Sequence, residues 1–65
     1  MQHRLGANVR ALRLKKELSQ EAFADEAGIH RTYISDIERA ARNPTIKVVE
    51  VLANALGVTA AELLR

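Results

Sequence analysis

The chain has 65 residues, with ten basic and eight acidic side chains, a net charge of +2 and no cysteine. A domain of this size buries only about 60% of the surface that its unfolded chain exposes, which leaves little core for an enclosed catalytic pocket. The lack of cysteine excludes a disulfide framework and a thiolate metal site, and no apolar run approaches the roughly 20 residues that a membrane span needs. We therefore expect one cytoplasmic domain, residues 1–65, that is not an enzyme and binds no cofactor, metal, small-molecule ligand or membrane.

Charge is unevenly distributed along the chain. Five basic residues and no acidic residue occur in the first segment, namely Arg4, Arg10, Arg13, Lys15 and Lys16. Acidic residues follow at Glu17, Glu21, Asp25 and Glu26, and basic residues return at Arg31, Arg39, Arg42 and Lys47. A fold that brings the two basic segments together would have a positive face suited to phosphate groups. An ordinary solvated surface is the alternative, and charge alone leaves both open.

Hydrophobic periodicity predicts five helices and no strand. Their expected positions are about residues 3–17, 20–27 and 31–39, then between Thr45 and Gly57, and finally after Thr59. The first carries Leu5, Val9 and Leu12 on one face, and the fourth carries Ile46, Val49, Leu52, Ala53 and Leu56. Because the turns between the helices are short, the pattern predicts a compact all-α five-helix bundle.

Single residues mark the ends of these helices. Ser19 and Thr45 are good N-caps, whereas His30 occupies the cap position before the third helix as a poorer substitute. Glycine, which takes the left-handed conformation easily, ends the second helix at Gly28 and the fourth at Gly57. The last helix begins with a T-x-x-E capping box at Thr59 and Glu62.

The stretch at about residues 20–39 has the spacing of a helix-turn-helix. A small residue, Ala24, lets two helices approach, and Gly28 takes the turn between them. Ile34 and Ile37 then anchor the second helix in the core. The second helix of such a motif commonly enters the DNA major groove, so we call residues 31–39 the expected recognition helix.

A helical wheel of the expected recognition helix places its polar side chains on the outer face. Candidate base contacts there are Arg31, Thr32, Tyr33, Ser35 and Asp36. Arginine can grip guanine, a hydroxyl can meet a base edge, and a carboxylate such as that of Asp36 can accept from a cytosine amino group. Candidate phosphate contacts flank them at Gln20, Arg10, Arg39, Arg42 and Asn43. For each residue a solvated surface side chain is the alternative, and for Tyr33 the alternative is edge packing.

Two charged residues lie beside apolar stripes instead of on outer faces. Arg13 borders the stripe of the first helix, and Glu38 lies on the inner side of the third. A buried charge is costly unless it is paired. We therefore predict that Arg13 and Glu38 form an ion pair that joins the two helices; two independent surface charges are the alternative.

The run LSQEAFADEAGIHRTYISDIERAARNPTIKVVEVLANALGV, Leu18 to Val58, resembles the Cro/phage-repressor (XRE-type) helix-turn-helix domains. Within it, HRTYIS-IERA-RN is similar to the controller proteins of restriction–modification systems. The resemblance implies a five-helix fold of the phage-repressor type, dimeric binding to pseudo-palindromic operators and control of transcription. By position the resemblance implies DNA contacts at Arg31, Thr32, Tyr33 and Asp36, contacts with the DNA backbone at Gln20, Arg42 and Asn43, and a structural ion pair between Arg13 and Glu38. Family members often have Gly where Ala40 stands, which puts the exit from the recognition helix in question.

A dimer is expected because one short recognition helix covers only a few base pairs. The candidate interface consists of three apolar residues that the predicted core does not use. Val48 and Val51 lie away from the core face of the fourth helix, and Leu64 lies on the last helix. The leading functional hypothesis is thus a homodimeric, double-stranded-DNA-binding transcriptional regulator, nucleoid-associated when bound. The alternative is a protein-interaction or antitoxin-type module with the same fold.

Overall fold

The computed structural model describes residues 2–65, and these form five α-helices with no strand among them. The helices are α1 (Gln2–Lys15), α2 (Gln20–Ala27), α3 (Arg31–Glu38), α4 (Ile46–Leu56) and α5 (Ala60–Leu64). The predicted all-α fold is confirmed. The first helix ends two residues earlier than predicted and the third ends one residue earlier.

The predicted N-caps are all formed. Ser19 Oγ accepts a hydrogen bond from the Ala22 amide at 3.0 Å, and Thr45 Oγ1 accepts from the Val48 amide at 3.2 Å. Thr59 and Glu62 form the reciprocal capping box. His30 acts as the cap of α3, since its Nδ1 accepts from the Thr32 amide at 3.1 Å.

Four helices end in the same way, with one left-handed residue and an amide that reaches back to the last turn. At Gly28 and Gly57 the left-handed residue is glycine, with φ of 70° and 74°. At the ends of α1 and α3 it is Glu17 and Ala40, each with φ of 59°. The early end of α1 follows from this conformation of Glu17, and Ala40 makes the exit from α3 in a conformation that favours glycine.

Replacing Ala40 with glycine is expected to stabilise the domain. The left-handed region destabilises a residue with a Cβ atom by roughly 1–2 kcal/mol. Glycine has little steric strain there but loses more backbone conformational entropy on folding. The net gain should be about 1 kcal/mol, seen as a rise in the thermal midpoint. Ala41→Gly is the matched control: Ala41 lies outside the left-handed region, so a glycine there should bring no gain. Equal midpoints for both variants would contradict the strain argument.

The core lies where α1, α2, α3, α4 and α5 meet. Its buried members are Leu5, Val9, Phe23, Ala24, Ile34, Ile37, Val49, Leu52, Ala53, Leu56 and Leu63. Ile46 was predicted to belong to this core and does not, because its residue surface is 63% exposed. It is the first residue of α4, one turn before Val49, so the apolar stripe runs past the edge of the core at that end.

A glycine that the sequence analysis did not single out brings α1 against α3. A Cβ atom added at Gly6 would lie 2.4 Å from the carbonyl oxygen of Ile37 and 3.0 Å from that of Glu38. Both are backbone atoms and cannot turn aside. The close approach of the two helices therefore depends on the absence of a side chain at Gly6.

Candidate nucleic-acid interface

The turn between α2 and α3 holds the two helices of the predicted helix-turn-helix against each other. Phe23 and Ala24 are buried on α2, and Ile34 and Ile37 are buried on α3. Gly28 takes the left-handed turn between them. With its inner face anchored in this way, α3 presents its opposite face to solvent.

The first turn of α3 exposes two of the residues that were predicted to contact bases. Arg31 and Thr32 are both exposed, directly after the His30 cap. Ser35 lies one turn further along the same face and is half-buried. An exposed guanidinium beside a hydroxyl at the tip of a helix is the arrangement that direct readout of base edges requires.

Asp36 lies in a network of charged groups and not in open solvent. Its Oδ1 accepts a hydrogen bond from Arg39 Nη2 at 2.5 Å, and its Oδ2 accepts from Arg42 Nη2 at 3.3 Å. Its side chain is 17% exposed. Both oxygens are therefore occupied by arginine, which leaves the carboxylate less available for the predicted contact with a cytosine amino group.

Tyr33 shows one of the two roles between which the sequence left a choice. Its half-buried ring packs against the core, and the guanidinium carbon of Arg42 lies 4.5 Å from the ring centroid on its outer side. A guanidinium at this distance is attracted by the π face of the ring. Edge packing is thus present, and contact of the hydroxyl with DNA stays a prediction.

Three of the five predicted phosphate contacts lie around one crevice. This crevice, of about 290 Å³, is lined by Arg10, Arg13, Gln20, Ser35, Glu38 and Arg39. Gln20 donates an amide hydrogen to Glu38 Oε1 at 3.1 Å, so part of its hydrogen-bonding capacity serves the protein itself. Arg42 and the exposed Asn43 lie after α3. The basic residues of α1 and α3 thus meet on the side of the molecule that carries the recognition helix.

The predicted ion pair is formed at the floor of this crevice. Arg13 Nε donates to Glu38 Oε2 at 2.7 Å and its Nη2 donates to Oε1 at 3.0 Å, a two-bond fork. Its Nη1 donates to the Leu18 carbonyl at 2.7 Å. The two side chains are 8% and 4% exposed. The hydrogen bond to Glu38 raises the pKa of Arg13 above its ordinary value, against the opposing effect of burial.

The candidate dimer residues are only partly available to a partner. Val48 and Leu64 are half-buried and pack against the core. Each therefore exposes less apolar surface to a partner than we expected. Val51 lines a groove of about 520 Å³ with the polar side chains of Lys47, Glu50 and Asn54 and the apolar Ala53, Val58 and Ala60. The surface beside α4 is therefore a mixed one, apolar at Val51 and charged around it.

No helix between residues 2 and 65 has the length and apolar character needed to cross a membrane. Within the same range, no group of three or more histidine and acidic residues could hold a metal ion.

Comparison with known proteins agrees with this architecture. Control protein C.BamHI of Bacillus amyloliquefaciens is 50% identical over 60 residues, which cover 91% of this chain and 74% of that protein. The crystal structure of the restriction–modification controller protein C.AhdI from Aeromonas hydrophila matches with a TM-score of 0.91 and 37% identity, over 95% of this chain and 94% of that one. The controller protein C.Esp1396I, solved as a tetramer with its natural 35-base-pair operator, matches with a TM-score of 0.87 and 35% identity, over 95% of this chain and 82% of that one.

The family model that matches is described as helix-turn-helix and covers residues 9–63. That range contains α2, α3, α4, all of α5 except Leu64, and the part of α1 that carries Arg13. This chain therefore belongs to the helix-turn-helix family.

Proposed function

We propose that this protein is a sequence-specific regulator of transcription that places α3 in the major groove of double-stranded operator DNA. The observation that carries the proposal is the exposed pair Arg31 and Thr32 at the first turn of a helix whose other face is buried. The similarity to controller proteins supports it, since one of them was solved with its operator. In such a regulator, residues 1–65 would form one non-enzymatic, cytoplasmic DNA-binding domain.

The proposal divides the interface into two kinds of contact. Arg31, Thr32 and Ser35 would meet base edges, with the Tyr33 hydroxyl at the border of the groove. Backbone phosphates would be met by Gln20, Arg10, Arg39, Arg42 and Asn43, which hold the helix in register without reading sequence. The shared position of Arg10, Gln20 and Arg39 around one crevice supports this division.

The size of the molecule favours a homodimer on a pseudo-palindromic site. The domain measures 24 × 22 × 19 Å, which is shorter than the roughly 34 Å of one DNA turn that separates two half-sites. One protomer would thus read one half-site. Val48, Val51 and Leu64 are the proposed contacts between protomers, with the groove that Val51 lines forming part of that surface.

Selection of binding sites from random duplexes would test the function and the dimer together. The expected sites contain two inverted half-sites about one helical turn apart. Selection of a single half-site would contradict the dimer. Recovery of random sequence only would contradict sequence-specific binding and favour the protein-interaction module.

Replacing Arg31 with alanine is the sharpest test of direct readout. On the best selected site the variant should lose roughly 1–3 kcal/mol of binding free energy, and its preference at one base pair should relax. Binding would be measured by fluorescence anisotropy at one fixed salt concentration. Arg65→Ala is the matched control, since it removes the same charge from an exposed residue at the far end of the chain. Equal losses on selected and random duplexes would mean that Arg31 touches phosphate only.

A further inference from the structure

Asp36 is the acidic side chain of α3 that pairs with two exposed arginines of the candidate interface, whereas Glu38 is bound in the pair with Arg13. Its two oxygens are divided between Arg39 and Arg42. Those two arginines are otherwise open to solvent, with side chains 65% and 47% exposed. A carboxylate in this place presents to them the same kind of charge and the same acceptor oxygens as a DNA phosphate.

The network also fixes the direction of Arg42. Its guanidinium is held from one side by the Asp36 carboxylate and from the other by the ring of Tyr33, 4.5 Å away. A backbone hydrogen bond also ties the residue before Arg42 to Asp36, because the Asp36 carbonyl accepts from the Ala41 amide at 2.8 Å. Arg42 therefore has a defined position in the free protein, although it lies on an exposed connection between helices.

Charge determines what this arrangement does near DNA. Arg39 and Arg42 together carry two positive charges, and Asp36 reduces the local sum to one. Each phosphate that a protein neutralises changes the slope of log affinity against log salt by about 0.9. Loss of the Asp36 charge would let the two arginines neutralise about one more phosphate. A slope steeper by about 0.9 means that lowering the salt from 1 M to about 0.1 M would increase the affinity by roughly eightfold more than in the unmodified protein.

The Asp36 charge should affect binding to random DNA and binding to an operator differently. On random DNA no base contact positions α3. Without the Asp36 carboxylate, Arg39 and Arg42 could therefore turn toward the nearest phosphate. On an operator, Arg31 and Thr32 would set the register, and the phosphates would meet arginines already in place. A guanidinium has five N–H donors, and Asp36 uses one from each arginine, so both can donate to a phosphate without leaving the carboxylate.

We propose that Asp36 is a positioning and specificity-determining residue, whose carboxylate holds Arg39 and Arg42 in place and competes with the phosphates of non-operator DNA. The proposal rests on the proposed DNA-binding function. It replaces the role expected from the sequence, in which Asp36 reads a cytosine. In this role Asp36 raises the ratio of operator to random binding without itself touching a base.

Asp36→Asn tests the proposal, because asparagine keeps the shape and removes the charge. Asp25→Asn is the matched control, since Asp25 is an exposed residue of α2 and its loss changes the net charge equally. In the free protein, NMR of the Arg42 side chain should show a ring-current shift from Tyr33, whose ring centroid lies 4.5 Å from the guanidinium carbon. This shift should shrink in Asp36→Asn and persist in Asp25→Asn. Binding to a selected operator and to a random duplex would then be measured over a salt series.

For Asp36→Asn we expect tighter binding to random DNA, with a salt slope steeper by up to about 0.9, and a smaller change on the operator. The ratio of operator to random affinity should therefore fall. Asp36→Glu keeps a carboxylate within i, i+3 reach of Arg39, and should return the slope toward that of the unmodified protein. Thermal unfolding of each variant confirms that the fold is intact.

An unchanged ring-current shift in Asp36→Asn would overturn the positioning role. A change in affinity by the same factor on both duplexes, or a response identical to that of Asp25→Asn, would overturn the role in specificity. If the unmodified protein shows no preference for any duplex, the proposed function fails and the specificity role with it, while the NMR result on the free protein still decides whether Asp36 positions Arg42.

Discussion

Replacing Glu38 with alanine is expected to remove most of the stability of the domain. The change removes both oxygens of the fork, so that Arg13 Nε and Nη2 lose their acceptors while the guanidinium stays beneath the crevice. Gln20 loses its acceptor as well. Removal of one partner from a buried pair costs about 3–5 kcal/mol, and a domain of this size has a stability near the lower end of the usual 5–15 kcal/mol. Urea denaturation followed by circular dichroism would measure the loss.

The double variant Arg13→Met, Glu38→Leu separates an unpaired charge from lost packing. Replacement of a buried pair by apolar side chains of similar size is often neutral or stabilising, so the double variant should recover most of the stability that Glu38→Ala loses. Arg39→Ala is the surface comparison, because the Arg39 side chain is 65% exposed and exposed pairs contribute about 1 kcal/mol or less. A Glu38→Ala protein as stable as Arg39→Ala would contradict the importance of the buried pair.

Helix starts could be predicted from the sequence because each depends on a side chain within three residues of it. Ser19, Thr45 and Thr59 cap the amides that their spacing predicted. The partnership of Arg13 with Glu38 could be predicted for a related reason. Each residue borders an apolar stripe, and a charge in that position needs an opposite charge.

Ile46 and Asp36 show where a helical pattern stops being informative. The pattern gives the direction in which a side chain points, but it does not tell where the neighbouring helices end. Ile46 points toward the core side and still lies beyond its edge. Asp36 points outward as predicted, yet its oxygens meet Arg39 and Arg42. The position of Arg42 depends on the turn at Ala40, which the helical pattern does not describe.

Two contacts between distant segments could not be predicted from the sequence. Asn8 Nδ2 donates to the Leu63 carbonyl at 2.8 Å and thereby joins α1 to the end of α5. Its residue type and position gave no signal of that partner. The role of Gly6 was equally hidden, since glycine within a helix ordinarily indicates only weak helix propensity.

Replacing Gly6 with valine is expected to be as damaging as the loss of Glu38. The Cβ atom of any residue at this position would lie 2.4 Å from the Ile37 carbonyl oxygen, a distance at which one of the two helices must move. Overpacking usually costs 1–3 kcal/mol and occasionally more, and here the neighbour is backbone, so we expect about 3 kcal/mol or more. Gly6→Ala should lose less, because the clash is offset in part by up to ~1 kcal/mol of helix propensity. Thermal and urea unfolding would give both values.

Two controls separate the clash from other effects of adding a side chain. Ala7→Val introduces the same β-branched residue at an exposed neighbouring position of α1, where only the small difference in helix propensity should appear. Gly28→Ala adds a Cβ atom where nothing lies within 4 Å but φ is +70°, so it should show strain of roughly 1–2 kcal/mol without a clash. Since Gly6 touches the last turn of α3, its variants should also shift the amide NMR signals of Ile37 and Glu38. Stability of Gly6→Val equal to that of Ala7→Val would mean that α1 and α3 do not approach as closely as the structure places them.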